Sequence, residues 1–351
     1  AHWNRDLASP EAYIKSVAAN RARLAEITGV VDARVNPQSL ADRQLLFVRG
    51  NQFPVSGVGK GFRAMNIRWP SIRNMHGEGL ALVCTNEQQQ NDRFVIVIPD
   101  ADQTPEMLCG VSPGLPVAQQ YARRLAESGC TVFVPSIISR NYGPRNGRAK
   151  MTSREFLYRS AYELGRHLIG YEVQKILALI DGIERQYSDQ KNRVAVMGWG
   201  EGGLLALYAA ALDQRIDVTC VSGYFDSRQD IWQEPISRNV FGLLDQFGDA
   251  ELATLIAPRK LIIEAARGPE FKLPGGGGAP AVLDTPRPAV VKGELDRAAK
   301  LLADKAELCQ FQLVRSGDGT GPFATEKTLQ ALLSALDPQL KLAGPGEPPQ
   351  P

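Results

Sequence analysis

Histidine is nearly missing from this chain. Three occur in 351 residues, at positions 2, 76 and 167, and none follows His167. Any mechanism that needs an imidazole late in the chain is therefore excluded. His76 and His167 stand alone, so they offer no ligand cluster for a metal, and no metal or cofactor is implied. His167, beside Arg166 in a helical stretch, reads as structural. The five cysteines (Cys84, Cys109, Cys130, Cys220, Cys309) form no C-x-x-C pair, which argues against a disulfide framework. Four of them border apolar strand-like runs, where a buried free thiol is expected. Cys109, in the loop after PDADQTPEM, reads as the one exposed thiol, but no histidine can be assigned to activate it.

Also missing is a basic block: 40 Lys and Arg face 38 Asp and Glu, for a net charge of +2. Nucleic-acid binding gains no electrostatic support from that balance. No apolar run approaches membrane-spanning length. The opening AHWNRD carries neither Met nor an apolar leader, as expected of a mature product or a trimmed chain. That leaves the compartment open, secreted or periplasmic included. A hydrophobic share of 44% and a charged share of 22% fit a soluble globular protein.

What is present is an alternation of apolar runs and helical patterns. A helix is expected over residues 9–29, opened by Ser9-Pro10 and closed near Gly29. Strand-like runs follow at 43–50, 64–69 and 79–85, separated by Gly, Pro and Asn turns, and read as antiparallel. Buried strands are then expected at 93–100, 131–137, 194–198, 217–225, 259–266 and 309–317. Helices between them are expected at 115–129, from about 153 to 187, and at 204–213. Later helices fall around 232–256, in GELDRAAKLLADK (293–305), and at 324–336. This order predicts an α/β fold with a mostly parallel sheet and helices on both faces. The stretch 268–280 reads as a flexible loop. The Pro/Gly-rich tail 337–351 reads as a frayed end, or as a linker before another domain.

One junction stands out. The apolar run Val194–Met197 meets Gly198-Trp199-Gly200-Glu201-Gly202 and then LLALYAAALD, a buried strand turning sharply into a helix. The turn fits G-x-S-x-G at every position except the centre, where Gly200 replaces the nucleophile. With YARRLAESGCTVFVPS, HLIGYEVQKILALID, VSGYF and LIAPRKLIIEA, it resembles the dienelactone-hydrolase and acetyl-xylan-esterase branch of the α/β-hydrolase fold. The resemblance covers roughly residues 75–336. It implies an extension at 1–75 packed on the core and a hydrolase-like domain at 76–336.

The resemblance also implies a triad in the chain order nucleophile, acid, histidine. At the first place Gly200 has no attacking atom. A frame shift to Glu201 puts the bulky Trp199 where a small residue is required. Glu201 then reads as an acid opening the following helix, with a role as base the alternative. For the acid, Glu270 in the loop after RKLIIEAA and Glu264 within that strand are both candidates. The histidine loop, 316–323, holds none. Asp318 is the nearest substitute by position, and a glycine-rich turn is the simpler account.

A glycine turn of this kind still aims the backbone N–H groups of Glu201 and Gly202 at a pocket, where polar or anionic ligands are favoured. Asp100, Arg140, Asn141, Tyr142, Trp199, Glu201, Tyr224 and Glu270 are expected near that edge, and Trp199 suits stacking on a sugar ring. Three readings follow. One is a degenerate hydrolase domain that binds a small-molecule or carbohydrate ligand or a protein partner. Another is an ester hydrolase with a non-standard catalytic set. The last is a scaffold beside a catalytic domain.

Overall fold

The computed structural model describes residues 2–35, 55–85, 92–145, 147, 149–187 and 192–350. The strand expected at 43–50 lies outside them. Ser9 caps α1 (Pro10–Ser16) by accepting from the Ala12 N–H, and Pro10 occupies the first turn, where its missing N–H costs nothing. The chain pauses at Val17 before α2 (Ala18–Thr28), so the single helix expected here is two.

A meander of β1 (Val55–Gly59), β2 (Phe62–Pro70) and β3 (His76–Cys84) comes next, antiparallel throughout. The alternation begins with β4 (Arg93–Ile98), α3 (Pro105–Cys109), α4 (Tyr121–Glu127) and β5 (Thr131–Pro135). It continues through β6 (Tyr142–Arg145), β7 (Ala149–Thr152), α5 (Ser153–Glu163), α6 (Leu168–Gln186), β8 (Arg193–Trp199), α7 (Glu201–Leu212) and β9 (Val218–Ser222). The last elements are α8 (Asp249–Ile256), β10 (Lys260–Ala265), β11 (Phe271–Leu273), β12 (Ala281–Leu283), α9 (Pro288–Leu301), β13 (Phe311–Arg315) and α10 (Glu326–Leu336).

Among the described residues, nine strands form one sheet in the order β1-β2-β3-β5-β4-β8-β9-β10-β13. From β5 to β13 every neighbour is parallel. Both faces are covered, which explains the unbroken apolar strands. Phe94, Ile96 and Ile98 of β4 point into the layer built by α1, α2 and α6–α9, whereas Val95 and Val97 point toward α3, α4 and α10. Strand order reverses at β4, with β5 on one side and β8 on the other. At such a switch point the connections diverge and leave a crevice beyond the carboxyl ends of the strands. Asp100 follows β4 and Gly200 follows β8, so both stand at that crevice.

Several expectations are corrected here. The long helix breaks at Gly165, whose φ of 68° is left-handed, and restarts at α6 with His167 as its N-cap residue rather than within it. The 232–247 stretch consists of single 3-10 turns, and α4 is preceded by a 3-10 turn at Val117–Gln119. Tyr142–Arg145 and Ala149–Thr152 pair as the β6–β7 hairpin, where no strand is expected from the sequence. The glycine-rich stretch is no loose loop. Its β11–β12 hairpin brings Gly276 O to accept from the Lys150 N–H, and a Cβ on Gly278 would fall 2.8 Å from both Glu155 Oε2 and Lys150 O. Glycine lets the two hairpins touch.

The tail is docked rather than frayed. Arg124 donates to Ala343 O, the Gly346 N–H donates to Glu127, and Gln350 exchanges backbone hydrogen bonds with Val58 on edge strand β1.

Candidate functional site

The β8–α7 junction keeps the shape of a nucleophile elbow. Gly200 has φ 57° and ψ −116°, a region that side chains rarely adopt. Its N–H donates to Ser222 O and its carbonyl accepts from the Leu204 N–H, which pins the turn at both ends. The flanking glycines are steric requirements. A Cβ on Gly198 would lie 2.1 Å from the carbonyl carbon of Gly202, and one on Gly202 would lie 2.1 Å from Ile98 O.

In a hydrolase of this fold, the N–H of the residue after the nucleophile points at the reacting oxygen. Here that N–H belongs to Glu201, and it donates to Asp100 Oδ1 at 2.8 Å. Asp100 is fully buried and held from the other side by Arg140, whose Nη1 donates to Oδ2 at 2.8 Å and Nη2 to Oδ1 at 3.1 Å. Arg140 also pairs with Asp102. Burial opposes the charge on Arg140, but Asp100, Glu201 and Asp102 outweigh it and raise its pKa.

The Glu201 side chain turns inward and is buried in an ionic network. Oε1 accepts from Arg154 at 2.9 Å and Oε2 from Arg238 at 2.9 Å, with Arg140 at 3.7 Å. Arg154 further pairs with Glu172, and Arg238 with Glu234. Burial alone would raise the Glu201 pKa, yet Arg154, Arg238 and Arg140 prevail and bring it down to about 2. Both oxygens of the Glu201 carboxylate are thus taken up by buried arginines.

A cavity of about 560 Å³ opens beside the elbow at the strand carboxyl ends. Asp100, Asp102, Gln119, Trp199, the 267–271 loop and the 320–323 loop line it. Of the residues expected at the edge, Asp100, Trp199 and Glu270 do line it. Trp199 lies flat on Phe323, with ring centroids 4.2 Å apart and planes 19° from parallel, and its Nε1 donates to Arg267 O. Glu270 is exposed and accepts from Thr285 Oγ1.

The others sit elsewhere. Tyr224 is buried under the guanidinium groups of Arg228 and Arg238, and Gly202 is packed against the end of β4. Asn141 and Tyr142 lead into the β6–β7 hairpin, and Asp318 lies on an exposed turn, accepting from Thr320, which lowers its pKa. His76 is exposed at the start of β3, and His167 is buried beside Tyr158 and Tyr162. Cys109, expected to be exposed, is fully buried by α3 packing, and burial pushes its thiol well up. Among the described residues, no group of three His, Cys, Asp or Glu converges as a metal centre would. Among those residues, no helix is long and apolar enough to cross a membrane.

Sequence reasoning missed Asp102, Gln119, Arg267, Phe271 and Phe323 as lining residues. Only Phe323 had a signal, as a bulky aromatic closing an otherwise small-residue loop. Glu264, the second candidate acid, is buried at the carboxyl end of β10. It accepts five hydrogen bonds: from Ser222 Oγ, the Ala324 and Thr325 N–H groups, and the hydroxyls of Thr325 and Thr328. It thereby ties the loop after β13 and the start of α10 to the sheet.

A mostly parallel sheet with helices on both faces and a glycine elbow after β8 defines an α/β-hydrolase fold. Residues 81–256 match the dienelactone hydrolase family, and the chain belongs to that family. A Bacillus subtilis (strain 168) protein named "Putative hydrolase YtaP" is 28% identical over 187 residues, which span 51% of this chain and 56% of that protein. The chain thus matches little more than half the length of this curated relative. Among solved structures, a protein named "putative acetyl xylan esterase" from Bacteroides fragilis NCTC 9343 superposes with a TM-score of 0.61 at 16% identity, covering 92% of this chain and 79% of that one. "Methylesterase BT1017" superposes with a TM-score of 0.54 at 14% identity, covering 96% and 69%. At those identities the superpositions speak to the fold.

Proposed function

We propose that this chain is a catalytically degenerate member of the dienelactone hydrolase family. It binds a small-molecule or carbohydrate ligand in the cavity beside Gly200 and does not hydrolyse an ester. The observation that carries this reading is the elbow itself. Its centre has no side chain, and the space a nucleophile would need is filled by Asp100 and Pro269. The histidine loop supports the same reading, because it supplies Phe323, stacked on Trp199, and no imidazole. An aromatic floor with polar groups at its rim suits a ligand with one apolar face, such as a sugar ring.

The test pairs two measurements on the purified protein. Acetyl and nitrophenyl esters are expected to show no turnover above buffer. Acetylated xylo-oligosaccharides are expected to quench tryptophan fluorescence saturably, and Trp199→Ala to abolish the response. Ester turnover that disappears on changing Glu201 or Cys109 overturns the reading.

A second reading, a protein partner, is favoured by an open groove of about 610 Å³ between α5 and the 231–245 turns. There Trp232 and Phe241 stand 73% and 80% exposed, beside Tyr162 and Leu244. Light scattering with and without candidate partner domains tests it.

A further inference from the structure

The Glu201 N–H, at the first turn of the twelve-residue helix α7, is engaged by a carboxylate at 2.8 Å. That carboxylate is also gripped at both oxygens by Arg140, whose side chain is only 5% exposed. And Asp100, which supplies it, lines the 560 Å³ cavity. A buried guanidinium opposite a helix N-terminal N–H is a two-sided anion clamp, with bidentate geometry on one side and a dipole on the other.

We propose that Arg140 and the Glu201 N–H form a carboxylate-binding site whose resident ligand is the chain's own Asp100. Asp100 then decides what the adjoining cavity accepts. While it is in place the clamp is neutralised and closed to carboxylates and to ester oxyanions alike. With its side chain removed, Arg140 keeps Asp102 on Nη1, while its Nη2 and the Glu201 N–H are left to take a free carboxylate of formate or acetate size. The inference goes beyond the ligand-binding reading above, and each can fail without the other.

The test is chemical rescue. Thermal unfolding of Asp100→Ala is expected to fall below that of the parent. Sodium formate is expected to raise the melting temperature of Asp100→Ala along a saturating curve. Sodium chloride at equal ionic strength is not expected to do so, and the parent is expected to respond alike to both salts. Asp100→Ala/Arg140→Ala is expected to lose the formate response. A crystal of Asp100→Ala grown with formate is expected to show density between the guanidinium and the Glu201 nitrogen.

An Asp100→Ala melting temperature that rises no more in formate than in chloride overturns the proposal. If Asp100→Ala does not fold from the cell, refolding from denaturant decides the matter. Recovery in formate but not in chloride supports the clamp, and recovery in neither, or equally in both, overturns it.

Discussion

Pro269 sits directly over the Cα of Gly200: a β-carbon built there would fall 2.8 Å from its Cγ, and 2.5 Å from Asp100 Oδ1. Placing a hydroxyl at the elbow by Gly200→Ser therefore meets two occupied positions at once, on a backbone whose φ is already positive. Overpacking of this kind costs roughly 1–3 kcal/mol. Gly200→Ser is expected to lower the urea midpoint accordingly and to leave nitrophenyl acetate hydrolysis at the buffer rate. A variant as stable as the parent, or one that turns over ester, contradicts the steric account.

Glu201 gives the molecule an acid limit. Its pKa moves from an ordinary 4.5 when unfolded to about 2 when folded. Because the folded value is the lower one, its ion pairs stabilise fully above about pH 4.5, and that stability drains away as pH falls toward 2. The gap corresponds to on the order of 3 kcal/mol at neutral pH. Glu201→Gln is expected to lose roughly 3–5 kcal/mol at pH 7, since three arginines are left short of a counter-charge. Between pH 4.5 and 2, its stability is expected to fall less steeply than the parent's. Parallel stability–pH curves for the two proteins would show that Glu201 is not the group responsible.

Glu264 predicts a different signature. An amide in its place cannot accept at both oxygens, so Glu264→Gln strands at least one of the five donors that converge there. A loss of roughly 3 kcal/mol is expected, concentrated in the loop after β13. Hydrogen exchange checks it, with the Ala324 and Thr325 amides losing protection ahead of the β8 strand. Uniform loss across the sheet would point instead to global destabilisation.

Ending the chain after residue 337 removes hydrogen bonds worth roughly 0.5–1.5 kcal/mol each. Among them are Arg124 to Ala343 O, Gly346 to Glu127, and the Val58–Gln350 pair. The shortened protein is expected to unfold at lower denaturant. With edge strand β1 uncovered, it is also expected to self-associate in light scattering. A monodisperse, equally stable product refutes a role for the tail.

Strand and helix periods carry much of this architecture in plain view. The VAVMG run, the small flanking residues and the Ala/Leu-rich stretch after them are local signals, and the elbow they announce is a local structure. Pairings between distant elements have no such trace. Arg154 and Glu201 lie 47 residues apart on α5 and α7, each an ordinary charge in its own helix, and only the fold makes them buried neighbours. The glycine run at 275–278 misleads for the opposite reason. Its composition suits a loose loop, but here small size serves close packing against β7. Cys109 misleads likewise, since a loop position in the sequence says nothing of the helix that closes over it.

The ionic network around Glu201 also restricts how this protein can change over generations. Arg154 answers both Glu172 and Glu201, and Arg238 answers both Glu201 and Glu234. Exchanging either arginine takes a counter-charge from two carboxylates at once, a heavy penalty for a single step. Change at this site is therefore expected to be tolerated in matched substitutions, an arginine together with the carboxylate it answers.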